Sequence, residues 1–428
     1  MSTIAEVYLW GTPIGTVALA DGQRYATFEY ARDFLESGVQ PSPLAMPLSG
    51  QVYTFPALPL QSFYGLPGML ADSLPDKFGN AVIDAWLESQ GRPRGSLNAV
   101  ERLCYMGQRG MGALEFVPAT GPEPTPAEQI DVAALARLAE SILAKRAGLH
   151  LHQDEGAMAQ ILRVGTSAGG ARAKALIAWN EETGEVCSGQ INAGEGFGYW
   201  LLKFDGVASN ADKEQTDVPS YTRIEYAYYL MAKGAGIAMP ECRLYEEEGY
   251  CHFMSRRFDR SNNGAKIHMQ TLGGLAHFDF NAARVHSYEQ AAQVMRMLEL
   301  GQDEVEQLFS RMVFNVMARN QDDHVKNISF LMDRAGKWSL APAYDVTYAY
   351  NPGGAWTGQH QMSINGKCDL LEEADLLASA NHMSLKPRQV QQAIDQVRES
   401  VCHWRKYAAA AQVPEQQTEA IEKSFCLI

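Results

Sequence analysis

The stretch from residue 305 to residue 345 constrains the fold more than any other. Val305, Leu308, Phe309, Met312, Val313, Val316 and Met317 recur at the spacing of a helix buried along one face. The pattern predicts a helix ending near Asn320. Directly after it comes "QDDHVKN", a dense run of charge and amide. "NISFLMD", "RAGK" and "WSLAPAY" then read as strand, turn and strand, and a further carboxylate, Asp345, follows in "APAYDVTYAY". A hairpin returns the chain to its starting point, so Asp322 and Asp345 are expected near each other. A charged loop held between a core helix and a core strand is a common mount for catalytic groups.

Composition narrows what such a loop can do. With 36 Lys and Arg against 50 Asp and Glu the net charge is −14, so the chain does not attract DNA phosphates by a general field, and any DNA contact is expected through a partner. Seven cysteines (104, 187, 242, 251, 368, 402, 426) are scattered without a C-x-x-C pair, which fits a reducing cytoplasm and neither a disulfide framework nor a zinc site. No run of about 18 apolar residues suits a membrane span. "MSTIAEVYLWGTPIG" lacks the charged-then-apolar order of a signal peptide.

The rest of the chain is α+β. "IAEVYLW", "IGTVALA" and "RYATFEY" read as a β-meander, with turns at Gly11-Thr12-Pro13 and Asp21-Gly22. A helix is expected after Pro75, through residue 90. "VPATGPEPTPAEQ" holds four prolines and no apolar period, and reads as a linker. The expected organisation is an N-terminal subdomain at 1–117, a linker at 118–128 and a second domain at 129–428. That domain opens with a helix carrying Ile130, Leu135, Leu138, Ile142 and Leu143, followed by strands in "LRVGTSAGGARAKALIAWN" and "YWLLKFD". From about residue 221 it reads as mainly helical, including "IEYAYYLMAKGAG" and one long helix over "PRQVQQAIDQVRESVCHWRKYAAAA". The two parts divide it at 129–255 and 256–428, and a cleft between them suits a nucleotide.

Asp322 and Asn327 have the spacing of a protein-kinase catalytic loop, in which the aspartate receives the proton of the acceptor hydroxyl and the asparagine binds magnesium. Phosphoryl transfer needs a metal held by hard oxygens and a carboxylate to orient the attacking oxygen. Asn327 and Asp345 suit the first task and Asp322 the second. Lys326 offsets the crowding of Asp322 and Asp323, and His324 supports the loop or the magnesium. Without this setting, the run reads as a solvated turn with capping aspartates. "VGTSAGGARAK" brings Thr166, Ser167, Gly169, Gly170 and Lys174 into a glycine turn able to approach phosphate, or into an ordinary hairpin. Lys203 sits amid Leu201, Leu202 and Phe204, so it needs an anionic partner, such as a nucleotide phosphate or Glu225, or an outward face. In "SRRFDRSN" the backbone of Arg256 and Phe258 suits adenine and Asp259 suits ribose; the plainer reading is an Arg/Asp ion-pair cluster on the surface.

Taken in order, the glycine turn, the strand lysine, "RRFDR", "NQDDHVKN" and "LAPAYD" resemble the HipA family of bacterial serine/threonine kinases, toxins of HipBA-type toxin–antitoxin modules. "VYLWGTPIGTVAL", "PLAMPLSG", "GLPGMLADSLPDKFGNAVI" and "MGALEFVP" resemble that family's N-terminal subdomain. The resemblance implies a two-lobed protein-kinase-like domain with a mainly helical C-lobe, ATP and Mg2+ as cofactors, and Asp322 as base. It implies His324 at the family's loop histidine, Lys203 on the phosphates, Asn327 and Asp345 on magnesium, and autophosphorylation of Ser167. It further implies a helix-turn-helix, HipB-like antitoxin that carries the DNA contact, and an aminoacyl-tRNA synthetase, often the glutamyl one, as substrate. The chain departs from the family at Arg172, where a glutamine is usual, and at Arg256, where an acidic residue often stands. Two other readings compete. A metal-dependent phosphohydrolase needs more ligands than the scattered histidines supply, His150 and His152 alone being close. A catalytically inactive scaffold or corepressor would not require Lys203, Asp322, Asn327 and Asp345 together.

Overall fold

The computed structural model describes residues 2–122, 130–143, 160–162, 164–165, 172–190, 192–207 and 220–428. They fall into two compact units. One comprises residues 1–217, 245–270 and 332–337, and the other 218–244, 271–331 and 338–428.

The first unit is β-rich. Thr3–Leu9 and Thr12–Leu19 form an antiparallel hairpin, and the alternation predicted from sequence buries Ala5, Val7 and Leu9. Its turn lies at Trp10-Gly11, both with positive φ (52° and 81°), the combination a two-residue hairpin favours, so Thr12 and Pro13 belong to the strand rather than the turn. Thr27–Tyr30, Val52–Tyr53 and Leu114–Val117 complete a five-stranded sheet. The expected helix spans Lys77–Ser89, and the Asp76 carboxylate caps it by accepting from the Gly79 N–H at 2.6 Å.

A second five-stranded sheet runs Val186–Ser188, Lys174–Trp179, Gly198–Lys203, Tyr250–Arg256, Cys242–Glu247. Register sets Lys203 opposite Lys174 on one side and Phe253 on the other. Phe78, Val82 and Ile83 of the capped helix share one core with Leu135 and Ile142 of Val132–Leu143, with Ile177 and Leu202 of this sheet, and with Phe204 just past the strand Gly198–Lys203. The strands at 242–247 and 250–256 correct the expectation of a mainly helical chain from residue 221. The first of them is half-exposed and rich in glutamate, so it shows no apolar alternation.

The second unit is mainly helical. Tyr221–Gly234, Gln302–Met317 and Pro387–Cys402 pack together, and Tyr228 Oη donates to the Ala318 carbonyl at 2.6 Å. The seven predicted apolar positions of Gln302–Met317 are all buried. This helix ends as expected, with Arg319 in the left-handed conformation (φ 56°). The long C-terminal helix is not continuous: it breaks at His403, and a separate helix runs Trp404–Ala410. Trp404 turns into the core against Tyr228, ring centroids 5.5 Å apart, and donates through Nε1 to the Thr418 carbonyl at 3.0 Å. Ser329–Met332 and Trp338–Leu340 are neighbouring strands, as the hairpin reading required. Among the described residues no helix is long and apolar enough to cross a membrane.

Candidate active site

The site is built where the helix Gln302–Met317 gives way to the charged loop. Asn327 Nδ2 donates to the Asp322 carbonyl at 2.8 Å, which fixes the amide orientation and turns Oδ1 away from that bond. A cavity at this place is lined by His324, Asn327 and Asp345, among others. Asp345 adopts a left-handed backbone (φ 51°), a conformation that costs a non-glycine residue of order 1 kcal/mol or more and that recurs at functional sites. Arg311, buried in the same helix, secures the approach to Asp345 by donating through Nη2 to the Ala341 carbonyl at 2.7 Å.

Asp322 and Asp323 are sequence neighbours with opposite circumstances. Asp323 is 3 % exposed and fully engaged. It accepts from Tyr288 Oη at 2.9 Å, from His360 Nδ1 at 2.8 Å and from the Gln361 N–H at 2.8 Å. Asn315 Nδ2 donates to Tyr288 Oη at 2.9 Å and so ties the core helix into the same network. The Asp322 side chain is 43 % exposed. Its Oδ1 accepts from Trp356 Nε1 at 2.6 Å. Crowding by protein atoms raises its pKa above the ordinary carboxylate value; His324 and Trp356 oppose this, and the charges of Asp345 and Asp323 add to it. The Asp345 charge thus acts on Asp322, in keeping with the hairpin that joins the two segments.

His324 Nδ1 accepts from the Lys326 N–H at 3.2 Å, which leaves the proton on Nε2, 4.0 Å from Asp322 Oδ1. The histidine therefore caps the short turn Val325–Asn327 and faces the carboxylate as a donor. Lys326 does not neutralise the aspartates by direct pairing: its ammonium stands 4.3 Å above the Phe280 ring. Sequence reasoning missed Trp356, His360 and Tyr288. A tryptophan inside the glycine-rich "NPGGAWTGQH" was the one available signal, since a loop seldom carries so large a ring without using it.

The candidates of the β-rich unit divide differently. Lys203 is 7 % exposed, with its ammonium 5.9 Å from the centroid of the Phe253 ring. Lys174 is not available to a ligand, contrary to the sequence expectation. Its ammonium lies 2.8 Å from Asp76 Oδ2, and both side chains are 3 % exposed. Asp259 is likewise not placed to hold ribose. Both its oxygens are enclosed by Arg257 (2.9 and 2.7 Å), Arg260 (2.7 Å) and the Gly112 N–H (2.8 Å), at 0 % exposure. Burial pushes its carboxyl pKa up, but the two guanidinium groups outweigh that and hold it well below the usual range. The ion-pair reading of "RRFDR" was right in kind, yet the cluster is buried rather than on the surface. It fastens the segment 108–115: Arg260 also donates to the Gly112 carbonyl at 3.0 Å, and Lys266 pairs with Glu115 at 2.8 Å. Arg256 is half-exposed over the Trp200 ring, 5.8 Å from its centroid, and Phe258 is half-exposed. Glu225 is buried on Tyr221–Gly234, and Arg172 is half-buried. Thr166, Ser167, Gly169, Gly170, His150 and His152 lie outside the described residues. Among the described residues no group of three or more His, Cys, Asp or Glu side chains is gathered to hold a metal.

A kinase-like fold, with a β-rich lobe and a helical lobe, is defined by comparison with solved structures. HipA of the Shewanella oneidensis MR-1 toxin–antitoxin system, solved with HipB and its operator DNA, aligns over 98 % of this chain and 94 % of that one, with a TM-score of 0.64 at 17 % identity. The model of the HipA-like C-terminal domain matches residues 166–404, and that of the HipA N-terminal domain matches residues 5–117. The chain belongs to the HipA family. A "Putative kinase" of Haemophilus influenzae is 25 % identical over 142 residues, 30 % of this chain and 41 % of that protein. "Putative kinase Y4dM" of Sinorhizobium fredii is 26 % identical over 226 residues, 49 % of this chain and 51 % of that protein. The chain thus spans about half the length of the curated relatives it matches.

Proposed function

We propose that this chain is an ATP- and magnesium-dependent protein serine/threonine kinase of HipA type. The observation that carries the reading is the paired arrangement of the loop: a reachable Asp322 carboxylate, and an Asn327 whose amide nitrogen is committed to the Asp322 backbone at 2.8 Å. Asp322 orients the acceptor hydroxyl and takes its proton as the oxygen attacks. Asn327 Oδ1 and the Asp345 carboxylate are hard oxygen donors lining one cavity, a set that fits magnesium, which takes few protein ligands and completes its shell with water and phosphate. Bound there, the ion supplies neutralisation of phosphate charge. Lys203, a buried ammonium, serves the nucleotide phosphates, and the backbone of Arg256 and Phe258 serves adenine. Thr166, Ser167, Gly169 and Gly170 cover the phosphates, with Ser167 as the autophosphorylation site.

The proposed substrate is a translation component, an aminoacyl-tRNA synthetase such as the glutamyl enzyme, as the family resemblance implies. A helix-turn-helix antitoxin of HipB type is the proposed partner. It carries the operator contact, consistent with a net charge of −14 on this chain. The cytoplasm is the proposed location. Incubation with γ-labelled ATP, magnesium and a cell lysate, with phosphosites mapped by mass spectrometry, tests the proposal. Label on Ser167 and on one synthetase is expected. Label on neither favours an inactive scaffold that acts through the antitoxin.

A further inference from the structure

Asp322 Oδ1 already holds one hydrogen bond, and its donor lies 34 residues further along the chain. Trp356 Nε1 approaches it at 2.6 Å, while Oδ2 receives no hydrogen bond from the described residues. The indole is itself held in place. Gln361 Nε2 donates to the Trp356 carbonyl and, at 3.0 Å, to the Gln359 carbonyl. The following residues fix the loop to Asp323, through His360 Nδ1 and the Gln361 N–H, both at 2.8 Å. The His324 ring stands 6.5 Å from the indole, centroid to centroid, and 6.2 Å from Phe280, so an aromatic wall flanks the carboxylate. The two adjacent aspartates therefore divide the work: Asp323 anchors the loop 356–361, and that loop returns an N–H to Asp322.

We infer that Trp356 is a positioning residue for phosphoryl transfer, which holds Asp322 Oδ1 so that Oδ2 alone meets the acceptor hydroxyl. The inference rests on the reading of Asp322 as the base. A carboxylate with one oxygen committed has its plane set before the acceptor arrives, and geometry fixed in advance need not be established during the reaction.

The test is a comparison of W356F, W356H and D322N, with the rate of phosphate transfer from ATP to the chain itself, the KM for ATP and the thermal midpoint as readouts. W356F keeps an aromatic ring but loses the N–H. It is expected to lower the rate at saturating ATP about tenfold, as loss of a hydrogen bond to a charged group implies, with KM and midpoint unchanged. W356H restores an N–H and is expected to recover part of the rate. A W356F rate equal to wild type, beside an inactive D322N, overturns the role of Trp356 and leaves the base intact. A W356F loss that appears equally in KM and midpoint reduces the residue to a structural one and also overturns the inference. Full activity in D322N overturns the base reading itself, and the inference with it.

Discussion

Asp259 and Asp322 sit in similar company, each inside a short run of opposite charges, yet the molecule uses them in opposite ways. Asp259 is wholly enclosed, and two arginines and a backbone N–H take up its oxygens. Asp322 keeps a 43 % exposed side chain and one oxygen that takes no hydrogen bond from the described residues. Two lysines paired across one sheet are also held differently. Lys174 is locked onto Asp76, whereas Lys203 carries its ammonium at the end of the neighbouring strand. A saturated buried charge can only hold structure together. A charge with capacity left over can act on something else.

Four outcomes would break or sharpen that comparison. D322N is expected to lower phosphate transfer by roughly 10³-fold or more, the upper range for loss of a positioned base. Nucleotide binding and the urea midpoint should stay near wild type, and a rate within tenfold of wild type would end the distinction. D259N should do the reverse and destabilise the protein by about 3–5 kcal/mol, because it leaves Arg257 and Arg260 buried without their anion. Urea unfolding measures this, and a midpoint like that of wild type would contradict it. For the lysines, K174M should cost about 3 kcal/mol of stability through the stranded Asp76, while K203M should weaken ATP binding more than it weakens the fold. Parallel titrations with a fluorescent ATP analogue and with urea separate the two.

A last expected effect, gradual rather than abrupt, is acid weakening of the β-rich unit. Burial lowers the pKa of His252 and of His268 to about 4, against an ordinary 6.5; Asp205 opposes the shift at the first, and the Pro41 carbonyl opposes it at the second. Below pH 6.5 the unfolded chain binds protons that the folded chain refuses until about pH 4. Stability is therefore complete above pH 6.5 and falls as the pH drops through that window, by at most about 1.4 kcal/mol per pH unit for each histidine. Urea midpoints between pH 7 and pH 4.5 should show this slope, and H268Q should reduce it. A flat profile would show that these rings are protonated in the fold.

Much of the fold was legible because its signals are local. The core helix repeats its apolar residues every turn, the meander alternates, and Pro75-Asp76 marks a helix start by chemistry the backbone requires. The acidic strand pair 242–256 was not legible, since a half-exposed strand of glutamates has no apolar period to read. Nor was the break at His403, which exists because Trp404 finds Tyr228 and Thr418 from elsewhere in the chain. The loop Asp322–Asn327 and Asp345 could be picked out by residue type and spacing. Trp356 could not, because its bond to Asp322 spans 34 residues.

Local order along the chain was enough to pick out the charged loop, the hairpin beside it and the family to which the chain belongs. Which charges are spent and which remain available was settled only in three dimensions. Whether a carboxylate is saturated depends on donors that arrive from distant segments: Gly112 for Asp259, Trp356 for Asp322 and His360 for Asp323. Residue type records that a group can bear charge; burial and partners decide whether that charge is already committed.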